Sequence, residues 1–281
     1  MEAIIKDSTM YYEVHGEGKP IILLHGWSLD HFSIMSGMEP IFKKRQGWKR
    51  LYLDLPGCGK TPGASWITNQ DAILEAVLQV IDQVIPGERF CLAGESAGAY
   101  LARGIVYRRP AWVNGLLLTV PLIVADDRQR TLPPHAVLVE DPQLKAELSK
   151  EDEEALAYAV VHDRRVLASA RHFMAITGKE SDQEYLAKIR NDPANYGFSF
   201  DVDALPEPVQ CPTLILMGRQ DGAVGYRDAW KIIENFPRAT FAVLDRAGHM
   251  LEIEQKKLFP TLVSEWLDRV EEYIHQTRSN A

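Results

Sequence analysis

Three side chains in this sequence have the types and surroundings for acyl transfer: Ser96, Asp221 and His249. A serine hydroxyl is a poor nucleophile until a base takes its proton, and an imidazole base needs a carboxylate to orient it. Ser96 is the centre of Gly94-Glu95-Ser96-Ala97-Gly98. Glycines two places before and after it suit a turn so tight that side chains there would collide. Such a turn strains the serine backbone and lifts its hydroxyl clear of the preceding strand. Asp221 lies in Gly218-Arg219-Gln220-Asp221-Gly222, and His249 in Ala247-Gly248-His249-Met250, 28 residues further on.

The elements around these residues must carry them to one place. Phe90 to Ala93 is a short apolar run of the kind buried on both faces of a sheet. Ala97 to Arg108 has helical spacing, with Leu101, Ile105 and Val106 on one side, and Pro110 stops it. Strand-like runs cover Met10–Val14, Ile21–Leu24, Trp48–Leu53, Val113–Val120, Thr213–Met217 and Thr240–Leu244. Helices are predicted over Met38–Lys44, Asn69–Ile85, Tyr226–Asn235 and Gln255–His275. This alternation predicts an α/β fold, a mostly parallel sheet with helices on both faces. Asp221 and His249 then fall just past the carboxyl ends of strands.

Between Leu122 and Glu207 the rhythm breaks. No strand is predicted there, only helical stretches near Pro142–Ser149, Asp152–His162, Arg165–Thr177 and Asp182–Arg190. An insertion at the carboxyl end of a strand sits over the ligand crevice, so residues 122–207 are expected to form a lid. Residues 1–121 and 208–281 are expected to form the core.

The chain has 281 residues, 46% hydrophobic and 25% charged, ordinary for a globular fold. Its net charge is −8, and no Lys/Arg stripe with interleaved aromatics appears, so nucleic acid is not expected as a partner. The lid segment holds 17 acidic and 10 basic residues, and so carries seven of the eight net negative charges. Its field would repel polyanions such as coenzyme A esters or phosphorylated substrates. No apolar run reaches the ~18–20 residues that cross a bilayer. Met1 to Lys6 lacks the basic end and apolar segment of a secretion signal, so the cytoplasm is the expected compartment and no membrane partner is expected. Cys58, Cys91 and Cys211 are widely spaced and read as reduced structural thiols.

Taken together the motifs resemble the α/β-hydrolase superfamily over nearly the whole chain. The resemblance rests on the Gly94–Gly98 elbow, on His25-Gly26, on Asp54-x-Pro56-Gly57-x-Gly59, on Gly218-x-x-Asp221 and on Gly248-His249, in that family's order. It implies Ser96 as nucleophile, His249 as general base and acid, and Asp221 as orienting acid. The backbone N–H groups of Ala97 and Trp27 are expected to form the oxyanion hole. No metal and no cofactor is expected. Asp126 and Asp127, after the Val113–Val120 strand, compete with Asp221 because some members carry the acid there. Asp245 sits too near His249 in sequence to face it, and Asp54 reads as a turn brace. His25, Met250 and Phe173 are the expected substrate-binding side chains, although His25 and Glu95 each also have a structural reading. Tyr158, Met174 and Tyr196 are further candidates to line an apolar pocket. His135, His162 and His172 read more readily as packed or solvated lid histidines.

A serine at the elbow sets the chain apart from relatives that open epoxides or remove halide with an aspartate. The resemblance is to aryl esterases, lactonases and cofactor-free haloperoxidase-like enzymes. It implies a serine hydrolase of small carboxylic esters or lactones working through an acyl-enzyme. Carbon–carbon bond hydrolases share the fold, but their glycine-rich, asparagine-bearing segment after His-Gly is here Trp27-Ser28-Leu29-Asp30. A low-turnover ligand-binding member of the superfamily is the reading of a different class. Neither the substrate nor the oligomeric state can be read from the sequence.

Overall fold

The computed structural model describes residues 1–134 and 136–279, so the expectation for His135 lies outside the described residues. Eight strands form the main sheet: β1 (Glu2–Ile5), β2 (Ser8–His15), β3 (Lys19–Leu24), β4 (Trp48–Leu53), β5 (Phe90–Glu95), β6 (Val113–Thr119), β9 (Thr213–Gly218) and β10 (Ala239–Leu244). Their order is β1-β2-β4-β3-β5-β6-β9-β10. Only the β1–β2 and β2–β4 pairs are antiparallel; every other neighbour runs parallel. The expected α/β hydrolase architecture is therefore present.

Parallel central strands are covered on both faces, which explains the unbroken apolar runs in the sequence. Ile21, Ile22, Leu23 and Leu24 in β3 and Leu214, Ile215, Leu216 and Met217 in β9 are all fully buried. Burying one such side chain contributes roughly 1.5–3 kcal/mol. On one side lie α1 (His31–Phe42) and α10 (Leu258–Ser279), packed together; on the other lie α2 (Gln70–Val84) and α3 (Ala97–Arg108). Asn69 caps α2 by accepting the Ala72 N–H at 2.9 Å. No described helix is long and apolar enough to cross a membrane. All three cysteines are buried and free.

Several elements differ from expectation. The first helix starts seven residues earlier than Met38, at His31, because Asp30 caps it by accepting the Phe32 N–H. The Asp228–Asn235 segment is a 3₁₀ helix rather than an α-helix. The edge strand β1 is too short to show a pattern of its own, and pairing with β2 creates it. The 122–207 segment is not strand-free: β7 (Val139–Glu140) and β8 (Val161–His162) pair in parallel. Two residues cannot display an alternation, and β8 cuts short the helix expected over Asp152–His162.

That segment holds α4 (Pro142–Glu147), α5 (Lys150–Leu156), α6 (Arg164–Ile176), α7 (Gln183–Arg190) and α8 (Pro193–Tyr196). It divides in two by packing. Leu144, Ala155, Leu156, Ala159 to Val161, Val166, Leu167 and Ala170 form a separate apolar cluster. Ile189, Tyr196 and Val202 belong instead to the main core. One half of the segment thus has an apolar cluster of its own, on which Met250 and Ile253 also pack, and the other half joins the main core.

Candidate active site

The turn after β5 shows why glycine flanks Ser96. Ser96 has φ 53° and ψ −114°, a conformation that costs a non-glycine residue about 1–3 kcal/mol. A Cβ at Gly94 would stand 2.5 Å from the Gly98 carbonyl oxygen, and one at Gly98 only 2.2 Å from that of Leu24. The strained residue is held by its neighbours. Its N–H donates to the Thr119 carbonyl at 3.0 Å, and its own carbonyl accepts from Leu122 at 3.1 Å.

The structure brings the three candidate residues together. His249 Nε2 lies 3.0 Å from Ser96 Oγ, and His249 Nδ1 lies 2.8 Å from Asp221 Oδ2. Asp221 is fully buried at the end of β9, and its Oδ1 accepts the N–H groups of Ala223 and Val224 at 2.8 and 3.0 Å. Burial opposes its charge, but the His249 imidazole and these donors outweigh that and hold the carboxyl below its usual range. For His249, burial disfavours the imidazolium, and the charge and hydrogen bond of Asp221 favour it. The balance leaves His249 above the ordinary histidine value.

The competing acids are engaged elsewhere. Asp126 caps a 3₁₀ turn and pairs with Arg128, and Asp127 pairs with Arg190 at 3.3 Å. Asp245 accepts from Gln220 at 3.0 Å. Asp54 accepts from the His31 N–H, from His31 Nδ1 and from the Lys60 N–H, so it braces the loop after β4.

His25 is a correction. It is fully buried, with Nδ1 2.7 Å from the Gly26 carbonyl and Nε2 accepting the Leu55 N–H at 3.0 Å. With both ring nitrogens engaged it has no atom to offer a substrate, and it fixes the loop that carries Trp27. That loop passes over Ser96, since a Cβ at Gly26 would lie 3.6 Å from Ser96 Cβ. Tyr196 meets the Trp27 ring edge-on at 4.8 Å.

The lid candidates scatter. Met250 is half-buried and packs on the separate apolar cluster. Phe173 is half-buried on α6, and Met174 is exposed. Tyr158 is largely exposed, its ring centroid 6.1 Å from that of His249. His162 turns back to the Ala159 carbonyl, and His172 is exposed.

Sequence reasoning missed Glu254, at the end of the short helix α9 (Leu251–Glu254). One Glu254 oxygen accepts the Gly248 N–H at 2.6 Å, and the other accepts Val160 and Val161 at 2.6 and 3.0 Å. The His249 N–H donates to the Tyr158 carbonyl at 3.1 Å. The loop holding the imidazole is thus tied to the insertion through main-chain bonds. The available signal was a glutamate in an apolar stretch, Met250-Leu251-x-Ile253, that runs into a short helix.

Comparison with known proteins shows the family and the fold. The chain is 23% identical over 268 residues to the pimeloyl-[acyl-carrier protein] methyl ester esterase of Legionella pneumophila strain Paris, covering 92% of this chain and 99% of that one. An alpha/beta superfamily hydrolase from Oenococcus oeni PSU-1 superposes with a TM-score of 0.86 at 29% identity, covering 96% of this chain and 99% of that one. A thermophilic esterase from Thermogutta terrifontis superposes with a TM-score of 0.66 at 19% identity, over 94% of each chain, a likeness of fold. The sequence pattern of the alpha/beta hydrolase family matches residues 21–259, and the chain belongs to that family.

Proposed function

We propose that the protein hydrolyses small carboxylic esters or lactones through an acyl-enzyme on Ser96. The observation that supports this best is the single imidazole bridging Ser96 Oγ at 3.0 Å and a buried, fully bonded Asp221 at 2.8 Å. Ser96 Oγ attacks the carbonyl carbon as its proton passes to His249 Nε2. Asp221 keeps Nδ1 protonated and stabilises the imidazolium that forms. The negative charge on the substrate oxygen is met by the N–H groups of Trp27 and Ala97, each such donor being worth ~10²–10³ in rate. Ala97 also opens α3, so the positive end of that helix faces the same oxygen.

Collapse of the tetrahedral intermediate breaks the bond to the alkoxy oxygen, which leaves with the proton from His249. Water then attacks the acyl-enzyme by the same route, giving up its proton to His249, and Ser96 recovers its proton as the acid departs. Residues 122–207 act as the lid, with Met250 and Phe173 against the substrate. The lid's acidic surface keeps phosphorylated substrates away.

The test is Ser96→Ala with p-nitrophenyl acetate. A fall in kcat of ~10⁴–10⁶ with an unchanged circular-dichroism spectrum is expected. Near-full turnover by that variant refutes the assignment. A fluorophosphonate should label the wild type at Ser96; folded protein that neither labels nor turns over ester would be a binding member instead.

A further inference from the structure

Tyr158 stands beside His249 and takes no part in the triad. It lies in the loop after α5, 60% exposed, with its ring centroid 6.1 Å from that of His249 and the two planes 59° apart. Of the ten tyrosines in the chain it alone is exposed; the others are buried or half-buried. Tyr11, Tyr52, Tyr100 and Tyr185 also engage their hydroxyls in hydrogen bonds within the chain. The Tyr158 hydroxyl has no such partner among the described residues, and its ring meets no aromatic group there except the imidazole. A large apolar ring left open to water at this spot calls for an explanation.

The main chain that carries the ring is fixed. The Tyr158 carbonyl accepts the His249 N–H at 3.1 Å. Gly248 lets the two loops approach, since a Cβ there would stand 2.4 Å from that carbonyl oxygen. On the other side of the ring, the Ala159 N–H donates to the Leu156 carbonyl at 2.9 Å, Val160 and Val161 donate to Glu254, and all three residues are buried. Only the two side-chain torsions of the tyrosine are left to order, which costs little on binding. Fully buried Asp221 covers the Nδ1 edge of His249, so the 20% of that side chain that reaches solvent belongs to the rest of the imidazole. In the mechanism above, Nε2 gives its proton to the leaving alkoxy oxygen. The alcohol half of the ester therefore lies beside the imidazole as its bond breaks, while the acyl half is held on Ser96.

We propose that Tyr158 is the wall of an alcohol-side subsite, and that the favoured substrates are small esters of aromatic alcohols. The proposal rests on the serine-hydrolase reading above. A phenyl ring one or two bonds from the alkoxy oxygen comes within the about 4.5–7 Å over which aromatic rings pair, offset or edge to face. Covering the Tyr158 ring also takes apolar surface out of water. The acyl half is bonded to Ser96 and directed by the oxyanion donors, so Tyr158 acts on the alcohol alone.

Matched ester pairs test this. Benzyl acetate and cyclohexylmethyl acetate share an acyl group and differ in the ring of the alcohol. Ethyl phenylacetate and ethyl cyclohexylacetate carry the same change on the acyl side. The wild type is expected to favour benzyl acetate by roughly threefold to tenfold in kcat/KM, a measurement that needs no variant. Tyr158→Leu should bring that ratio down toward one and leave the acyl-side ratio where it was. Tyr158→Phe should keep both ratios, since the ring and not the hydroxyl makes the contact. A purely structural role would move both ratios or neither. No preference for benzyl acetate in the wild type, a ratio that Tyr158→Leu leaves alone, a matching change on the acyl side, or a ratio lost in Tyr158→Phe overturns the subsite and leaves the hydrolase reading intact. Failure on all four esters with Ser96 still labelled by the fluorophosphonate overturns the subsite alone. The same failure without labelling overturns the hydrolase reading and the subsite with it.

Discussion

Two strands of the sheet each place a carboxylate at the same edge, near the same imidazole, and the surroundings of the two carboxylates differ. At the end of β9, Asp221 is fully buried, takes two backbone N–H groups on one oxygen and meets His249 with the other. At the end of β5, Glu95 has a buried oxygen with no hydrogen-bond partner among the described residues. Its charge still acts on His249, and raises it as that of Asp221 does. The chemical group is the same, so the difference lies in what surrounds it. A carboxylate whose donors are all supplied by the protein serves to hold a geometry.

Breaking the finished side should cost most. Asp221→Asn keeps the shape but removes the charge that favours the protonated Nδ1, and kcat on p-nitrophenyl acetate should fall by about 10⁴. A loss under tenfold would mean that another acid orients His249.

Glu254 tests whether holding the main chain matters as much as holding the ring. Glu254→Gln sets an amide N–H₂ against donors, leaving one or more of the Gly248, Val160 and Val161 N–H groups unpaired, at about 1–3 kcal/mol. A lower melting temperature and a roughly tenfold fall in kcat are expected. An unchanged kcat with the lower melting temperature would confine Glu254 to stability.

The smallest effect sharpens the comparison on the open side. In the proposed mechanism the neutral imidazole is the base, so kcat/KM should fall as pH drops through the His249 pKa. That limb should lie above the ordinary histidine value, since the net shift is upward. In Glu95→Gln a negative neighbour is lost, the imidazolium is less favoured, and the limb should move to lower pH. A limb that stays in place, measured on a neutral ester, would show that Glu95 carries no charge while His249 titrates.

Much of the site is legible in the sequence because its signals are local. The elbow needs glycine at 94 and 98 for steric reasons within a few residues, and the strand–helix rhythm that carries Asp221 and His249 to one edge is a matter of short-range pattern. Helix ends were read less well. Asp30 starts α1 with a side-chain bond two residues long, in a stretch whose loop-like letters gave no helical period. His25 illustrates the limit for side chains: histidine next to an oxyanion loop has the right chemistry for substrate binding, and only burial shows both of its nitrogens already occupied.

The chain order of Ser96, Asp221 and His249, the α/β layering and the break in that rhythm over residues 122–207 follow from the amino-acid sequence alone. They depend on residue types, on spacing within one turn or strand, and on periodicity, all of which a chain carries before it folds. Tertiary structure decided which groups end up with partners. Glu254 reaches Val160 and Val161 across more than 90 positions, and His249 reaches Ser96 across more than 150. Whether a buried oxygen finds a donor is a property of the space around it, and that space exists only once distant segments have packed.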